Sequence, residues 1–265
     1  MSALLSVDDL GVRFGGLAAV RGISFDVRPR EVFTLIGPNG AGKTTLLNLI
    51  SRLYQPTTGD IHFDGHCITD MKPSRIAGLG IARTFQNIEL FQHATVLQNL
   101  LIGRHTRRHG NFWQHLVFTH SVREAERAAR TKVEEIIDFL DLQHYRDTVI
   151  AGLPYGVRKV VELARALCLE PRLLLLDEPS SGLNTEETND LAFWIDDIRE
   201  ELGIAILMVE HDMSLVSRVS DRVLAMNYGE RVALGTPDEV KAHPGVIEAY
   251  LGKGDEVLAL RRARP

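Results

Sequence analysis

The most specific chemistry in the chain lies in one short run. Gly37-Pro38-Asn39-Gly40-Ala41-Gly42-Lys43-Thr44 fits the pattern GxxxxGK[ST], with Thr45 directly after it. Glycines let successive backbone N–H groups curl around phosphate oxygens, and a helix starting here adds the partial positive charge of its N-terminus. In that pattern the Lys43 ammonium reaches β- and γ-phosphate oxygens and the Thr44 hydroxyl holds Mg²⁺. The bland alternative is an ordinary Gly-rich turn. A second run, Leu173-Leu174-Leu175-Leu176-Asp177-Glu178, supplies the complementary acids. A buried strand of this kind delivers Asp177 to its C-terminal edge, where the carboxylate can hold magnesium through water. Glu178, one residue on, is placed as general base for an attacking water. Acids often end strands, so this pair speaks for catalysis only together with the phosphate loop.

Strands and helices must bring these runs together. Val32–Ile36 is an apolar, β-branched run feeding the glycines, and LLNLI beyond them starts a helix. Leu173–Leu176 and Ile204–Val209 read as continuous buried strands of a parallel sheet covered on both faces. Residues 1–30 and 58–68 alternate instead, with Gly15, Gly16, Gly22, Gly59 and Gly65 marking antiparallel hairpins. Between 90 and 168 the pattern turns helical. Val133, Ile136, Ile137 and Leu140 fall on one helical face, as do Val157, Val160, Val161, Ala164, Leu167 and Cys168. A helical insert thus interrupts an α/β core. Thr236-Pro237-Asp238-Glu239 has the spacing of a capping box, and the final RRARP reads as a solvated tail.

Composition narrows the class. The chain has 265 residues, 45% hydrophobic and 25% charged, which excludes a mostly disordered protein. Thirty Lys and Arg against 35 Asp and Glu give a net charge of −5, which speaks against a globally basic nucleic-acid binder. With Cys67 and Cys168 alone no disulfide framework is expected, and both thiols are expected to pack as small apolar groups. No run approaches the ~18–20 apolar residues of a membrane span. Asp8 and Asp9 interrupt the place a signal peptide would need for its apolar core, so the expectation is a cytosolic chain anchored, if at all, by another protein.

Five segments in fixed order carry a resemblance. GPNGAGKTT, RTFQN around Gln86, LPYGV at 153–157, LLLLDEPSSGLN at 173–184 and VEHDM around His211 together resemble the ATP-binding cassette subunit of an ABC transporter, from Phe14 to Leu251. The resemblance implies an α/β fold: an ABC-type P-loop NTPase with a RecA-like core, an N-terminal antiparallel β subdomain and an inserted helical subdomain. It implies one domain over 1–265. Residues 1–89 and 169–240 form the core with the β subdomain, 90–168 the helical signature subdomain, and 241–265 a C-terminal helix and tail. ATP and Mg²⁺ are the implied cofactors. Phe14 falls where the family stacks a ring on adenine, although a Phe in such a strand is otherwise core. Gly37 through Thr45 take the phosphates. Thr44, Gln86 and Asp177 are the implied metal contacts; Glu178, His211 and Gln86 are the implied catalytic residues. By residue type alone Gln86 is a surface glutamine. Ser180–Asn184 matches the loop crossing between two ATP sites, with Asn184 where most members carry Asp.

The chain departs from the family at its signature. Most members read LSGGQ where this chain reads Leu153-Pro154-Tyr155-Gly156-Val157. Pro154 has neither a hydroxyl nor a backbone N–H to offer a partner's γ-phosphate. Gly156 remains, and a helix beginning near Val157 still aims its dipole. One or two bonds of ~1.5–3 kcal/mol each are thereby lost. The resemblance therefore implies an asymmetric pair with a different, shorter paralogue, a homodimer remaining open.

FGGLAAV, SSGLN, EHDM, HPGVIEAYLG and the long separation of Gln86 from Gly156 look like the larger ATPase subunit of branched-chain amino acid importers. The implied partners are integral membrane permease subunits, a second ABC ATPase and, indirectly, an extracytoplasmic substrate-binding protein, with no nucleic acid. The implied place is the cytoplasmic face of the inner membrane, peripheral through the permeases. ATP hydrolysis would drive alternating access by population shift. Urea or short-amide importers, lipid or other exporters and, more remotely, soluble ABC ATPases stand as alternatives. The groove beside Gln86 is expected to receive permease helices, with Leu90 and Phe91 as lining or simply as core. His62, His66 and Cys67, and the pair His105 and His109, lack the four converging ligands of a metal site. Arg104, Arg107 and Arg108 suit anionic headgroups or a solvated face, and REAERAARTKVEE is the polar face of an amphipathic helix.

Overall fold

The computed structural model describes residues 3–84, 86, 88–104 and 120–250, with side chains for all of these but 120–123 and 125. Phe85 and Asn87 of RTFQN, the 105–109 cluster of His and Arg, and the tail from Leu251 lie outside the described residues.

Two sheets form the frame. Strands β1 (Leu5–Phe14), β2 (Leu17–Val27), β4 (Thr58–Phe63) and β5 (His66–Cys67) pair antiparallel in the order β2-β1-β4-β5. The second sheet orders β10 (Glu230–Gly235), β9 (Arg222–Asn227), β3 (Val32–Ile36), β8 (Ala205–Val209), β7 (Leu173–Asp177) and β6 (Ile81–Arg83). All but β10 run parallel in it. Its central strands are apolar on both faces because both are covered. Leu174, Leu176, Ile206 and Met208 face the core shared with the helices, whereas Leu173, Leu175, Ala205, Leu207 and Val209 face the core beneath the antiparallel sheet. Period-two alternation thus divides one hydrophobic run between two cores. Each such Leu or Ile, fully withdrawn from water, contributes ~1.5–3 kcal/mol of transfer free energy.

Helix α1 (Lys43–Ile50) follows β3, α2 (Pro73–Leu79) precedes β6, and α3 (Val96–Arg104), α4 (His120–Phe139) and α5 (Tyr155–Leu167) make the helical insert. Val133, Ile136 and Ile137 near the end of α4, with Leu140 just beyond it, share a core with Val161, Ala164 and Leu167 of α5 and its C-cap Cys168. After β7 come α6 (Thr185–Glu200), then β8, α7 (Met213–Val219) and α8 (Pro237–Lys241), with residues 244–250 helical again. Side-chain caps open several helices, among them Asp212 on α7 and the reciprocal Thr95–Gln98 pair before α3. Asn184 and Glu187 form a capping box on α6, and Thr236 and Glu239 form the expected one on α8. No helix of the described residues is long and apolar enough to cross a membrane.

Two expectations, on Cys67 and on the start of α5, need correction, and one left open, on Leu90 and Phe91, divides. Cys168 is buried, and burial pushes its thiol up to about 12, but Cys67 is exposed. It sits on β5, a two-residue strand at the sheet edge, where its thiol donates to Thr69 Oγ1 at 3.4 Å. Leu90 belongs to the core, whereas Phe91 is exposed. Helix α5 starts at Tyr155 rather than near Val157, with Pro154 as N-cap at φ −55 and ψ 155.

Candidate functional site

Because β3, β7 and β8 are parallel neighbours, their C-terminal ends share one edge, and the loops leaving them converge there. The loop from β3 is built around glycines in conformations that other residues avoid: Gly37 at φ 146, Gly40 at φ 84 and Gly42 at φ 98. A Cβ on Gly37 would stand 2.1 Å from the Met226 carbonyl oxygen, and one on Gly42 would stand 2.5 Å from that of Ala19. Nothing lies within 4 Å of a Cβ on Gly40, which faces open space. Ala41 N donates to Pro38 O at 3.1 Å and Gly229 N to Ala41 O at 3.0 Å, so the β9–β10 turn buttresses the loop. Asn39 is exposed, and Thr45 is half-buried on α1. Lys43 is buried, its Nζ donating to Gly37 O at 2.7 Å and Pro38 O at 3.1 Å. Gly42→Ala is expected to strain this loop by about 1–3 kcal/mol. The lowered midpoint in urea unfolding and weakened nucleotide binding would both register it.

At the same edge, Thr44 Oγ1 donates to Asp177 Oδ1 at 3.3 Å. The other carboxylate oxygen of Asp177 accepts from Arg83 Nη2 at 2.9 Å, and Arg83 Nη1 donates to Asn48 Oδ1 at 2.7 Å and Ser51 Oγ at 2.9 Å. The Arg83 side chain is 7% exposed and that of Asp177 2%. Burial pulls the Arg83 guanidinium below its ordinary pKa, and the Asp177 charge and hydrogen bond oppose that pull. Glu178 is half-buried and held at φ 51, a left-handed conformation rare for a glutamate. Its N–H is fixed by Val209 O at 3.0 Å, and its Oε2 accepts from Gln86 Nε2 at 3.1 Å. A hydroxyl, two carboxylates and an amide oxygen make a hard-oxygen set suited to Mg²⁺, beside an ammonium and backbone donors suited to phosphate.

The remaining predicted residues surround this cluster. His211 follows β8 by two residues, and its side chain is 58% exposed. Phe14, at the end of β1, is exposed and meets Tyr54 edge-on with centroids 5.2 Å apart. It is therefore surface rather than core. The signature residues are not brought to the phosphate loop of their own chain by any contact among the described residues. Leu153 is buried, Val157 is half-buried, and Tyr155 lays its ring over Gly182 and donates its hydroxyl to Ser181 O at 3.3 Å. Gly156 presses on Glu187, whose Oε1 stands 2.1 Å from where a Cβ would be. Pro154 supplies no side-chain cap to α5.

Residues 20–181 match the ABC transporter family, and residues 230–256 match the family described as branched-chain amino acid ATP-binding cassette transporter. The high-affinity branched-chain amino acid transport ATP-binding protein BraF of Pseudomonas aeruginosa is 41% identical over 250 residues, covering 94% of this chain and 98% of that protein. The chain belongs to the ABC transporter ATPase family. LivG of Escherichia coli, another high-affinity branched-chain amino acid transport ATP-binding protein, is 39% identical to this cassette over the same share of each. A crystal structure of a nucleotide-free ATP-binding cassette from an ABC transporter superposes with TM-score 0.82 at 30% identity, covering 94% of this chain and 99% of that one. The RecA-like core with an N-terminal β subdomain and a helical insertion is thus the fold of this cassette, and ATP hydrolysis is its chemistry.

Sequence reasoning passed over three polar residues of the cassette. Arg83, three positions before Gln86, is the buried cation on Asp177. Lys159 on α5 is buried and reaches Gln86 O at 3.2 Å. Glu210, completely buried, lies between the loops after β7 and β8. All three stood in or beside quoted segments. The available signal was a charge placed next to a buried strand or on an apolar helix face, where an unpaired charge would be costly.

Proposed function

We propose that this cassette is the ATP-hydrolysing subunit of an importer of branched-chain amino acids, working beneath membrane permeases. The match of residues 230–256 to the branched-chain cassette family carries the cargo reading, since the phosphate loop alone is common to every ABC ATPase. Phe14 offers its exposed ring to adenine, and Gly37 through Thr45 wrap the phosphates, with the Lys43 ammonium released from Gly37 O to the γ-phosphate. Thr44, Asp177 and Gln86 would hold Mg²⁺, which when bound would neutralise phosphate charge. Arg83 fixes the Asp177 carboxylate so that Oδ1 stays turned toward Thr44. Glu178 accepts the proton of the water that attacks the γ-phosphorus as the bond to the ADP oxygen breaks. Its backbone is locked by Val209 O, so the carboxylate needs little reorganisation. His211 orients that water and the γ-phosphate.

Residues 1–89 and 169–240 serve as the catalytic core with its β subdomain, 90–168 as the signature subdomain and 241–265 as a C-terminal helix and tail. The surface near Gln86, with exposed Phe91, receives the permease subunits at the cytoplasmic face of the inner membrane. Leu153 to Val157 face the nucleotide of a second cassette. Because Pro154 has no donor, that second cassette is a different, shorter paralogue whose own signature completes the site built here. Tagged chain purified from native membranes in mild detergent tests this assembly. Two different permease subunits and a second, shorter cassette are the expected companions. Ribosomes, or the chain alone from the soluble fraction, would overturn it.

A further inference from the structure

Glu210 is fully buried, yet no lysine or arginine bonds its carboxylate among the described contacts. Backbone N–H groups fill it instead, with the His211 ring nitrogen Nδ1 3.9 Å from Oε2. Oε1 accepts from Ser180 N at 2.9 Å, and Oε2 accepts from His211 N at 2.9 Å and Asp212 N at 3.3 Å. These donors belong to two separate loops, the one after β7 and the one after β8. Glu210 is itself pinned, its N–H donating to Leu35 O at 3.2 Å on the strand that runs into the phosphate loop. The Glu210 charge acts on the Lys159 ammonium, but that ammonium donates to Gln86 O at 3.2 Å.

A buried carboxylate is an expensive way to tie two loops together, and its geometry explains why a charge is used. Both oxygens must accept, because donors arrive from both sides. An amide of the same shape would turn an NH₂ group toward one of them. The Ser180 end of the bridge continues outward. Beyond Ser180 the loop carries Ser181 and Gly182, against which the Tyr155 hydroxyl and ring are packed. The signature, the loop 181–184 with Gly182 and Asn184 exposed, and His211 are therefore joined through one side chain.

We propose that Glu210 is a positioning residue that holds His211 in register with the Ser180–Asn184 loop, so that displacing the loop from its exposed face displaces His211. This rests on the reading of His211 and Glu178 as the residues that direct the attacking water. The loop's exposed face, shared with the signature, is where a second cassette would press. Glu210 then conveys that pressure to the residue that orients water.

The test uses the full chain with Glu210→Gln, which loses one acceptor face, and with Glu210→Asp, one methylene too short to span both loops. In the assembled complex, kcat is expected to fall about tenfold or more while the KM for ATP stays within about twofold. In the labelled full chain, Gly182→Ala perturbs the loop, because its Cβ would stand 2.8 Å from the Tyr155 ring at φ 82. NMR signals of the His211 imidazole should move in response, and this response should vanish when Glu210→Gln is added. Unchanged kcat, or an equal response of His211 in both backgrounds, would overturn the proposal. If Glu210→Gln does not fold, Glu210→Asp carries the same two measurements with the same expectations. Continued turnover by Glu178→Gln would instead overturn the reading of the catalytic site, and the NMR coupling would still be decided on its own.

Discussion

Glu178→Gln is expected to stop ATP turnover, by about 10²–10⁴-fold, while ATP still binds. The amide keeps the shape and the bond distance to Gln86 but cannot take a proton from water. Glu178 has few structural duties that would confuse the result. Its side chain is half-buried and accepts from Gln86 Nε2, and its backbone bond to Val209 O does not depend on the side chain. Rapid-quench hydrolysis and binding of a fluorescent ATP analogue, measured on the same preparation, separate the two effects. Loss of binding together with turnover would place Glu178 in the phosphate cradle rather than at the water.

Asp177→Ala should be more damaging to the protein itself. The substitution removes the carboxylate facing a guanidinium that is 7% exposed and whose other acceptors include the neutral Asn48 and Ser51. Removing one partner of a buried pair typically costs about 3–5 kcal/mol, because the other charge stays buried without compensation. The urea midpoint should fall accordingly, and magnesium-dependent hydrolysis should vanish with it. Combining Asp177→Ala with Arg83→Met should recover part of the stability but none of the hydrolysis. A double variant no more stable than the single one would mean that Arg83 is not the source of the penalty.

The residues legible from sequence were those whose neighbours in space are also neighbours in the chain. The glycines, Lys43 and Thr44 declare a phosphate loop locally, and an uninterrupted Leu run ending at Asp177 declares a strand buried on both faces. The Thr236 capping box was readable for the same reason. What could not be read depends on contacts between distant segments. Arg83 and Asp177 lie in different strands that pair only in the folded sheet, and Glu210 meets Ser180 from the neighbouring strand's loop. The start of α5 was placed too late because the apolar period begins at Val157. Its first turn packs on the 180–187 segment through Tyr155 and Gly156, and that contact leaves no periodic mark. Cys67 misled for a related reason. A thiol is usually buried, but an edge strand of two residues offers nothing to bury it.

Transport is the most direct measure of what the cassette does. The complex recovered with this chain, reconstituted in liposomes with ATP on the side of the cassettes and an extracytoplasmic binding protein on the other, should accumulate labelled leucine, isoleucine or valine. Accumulation should cease with Glu178→Gln while the complex stays assembled. Hydrolysis stimulated instead by urea or a short amide, or movement of lipid with no amino acid uptake, would contradict the assignment of the cargo.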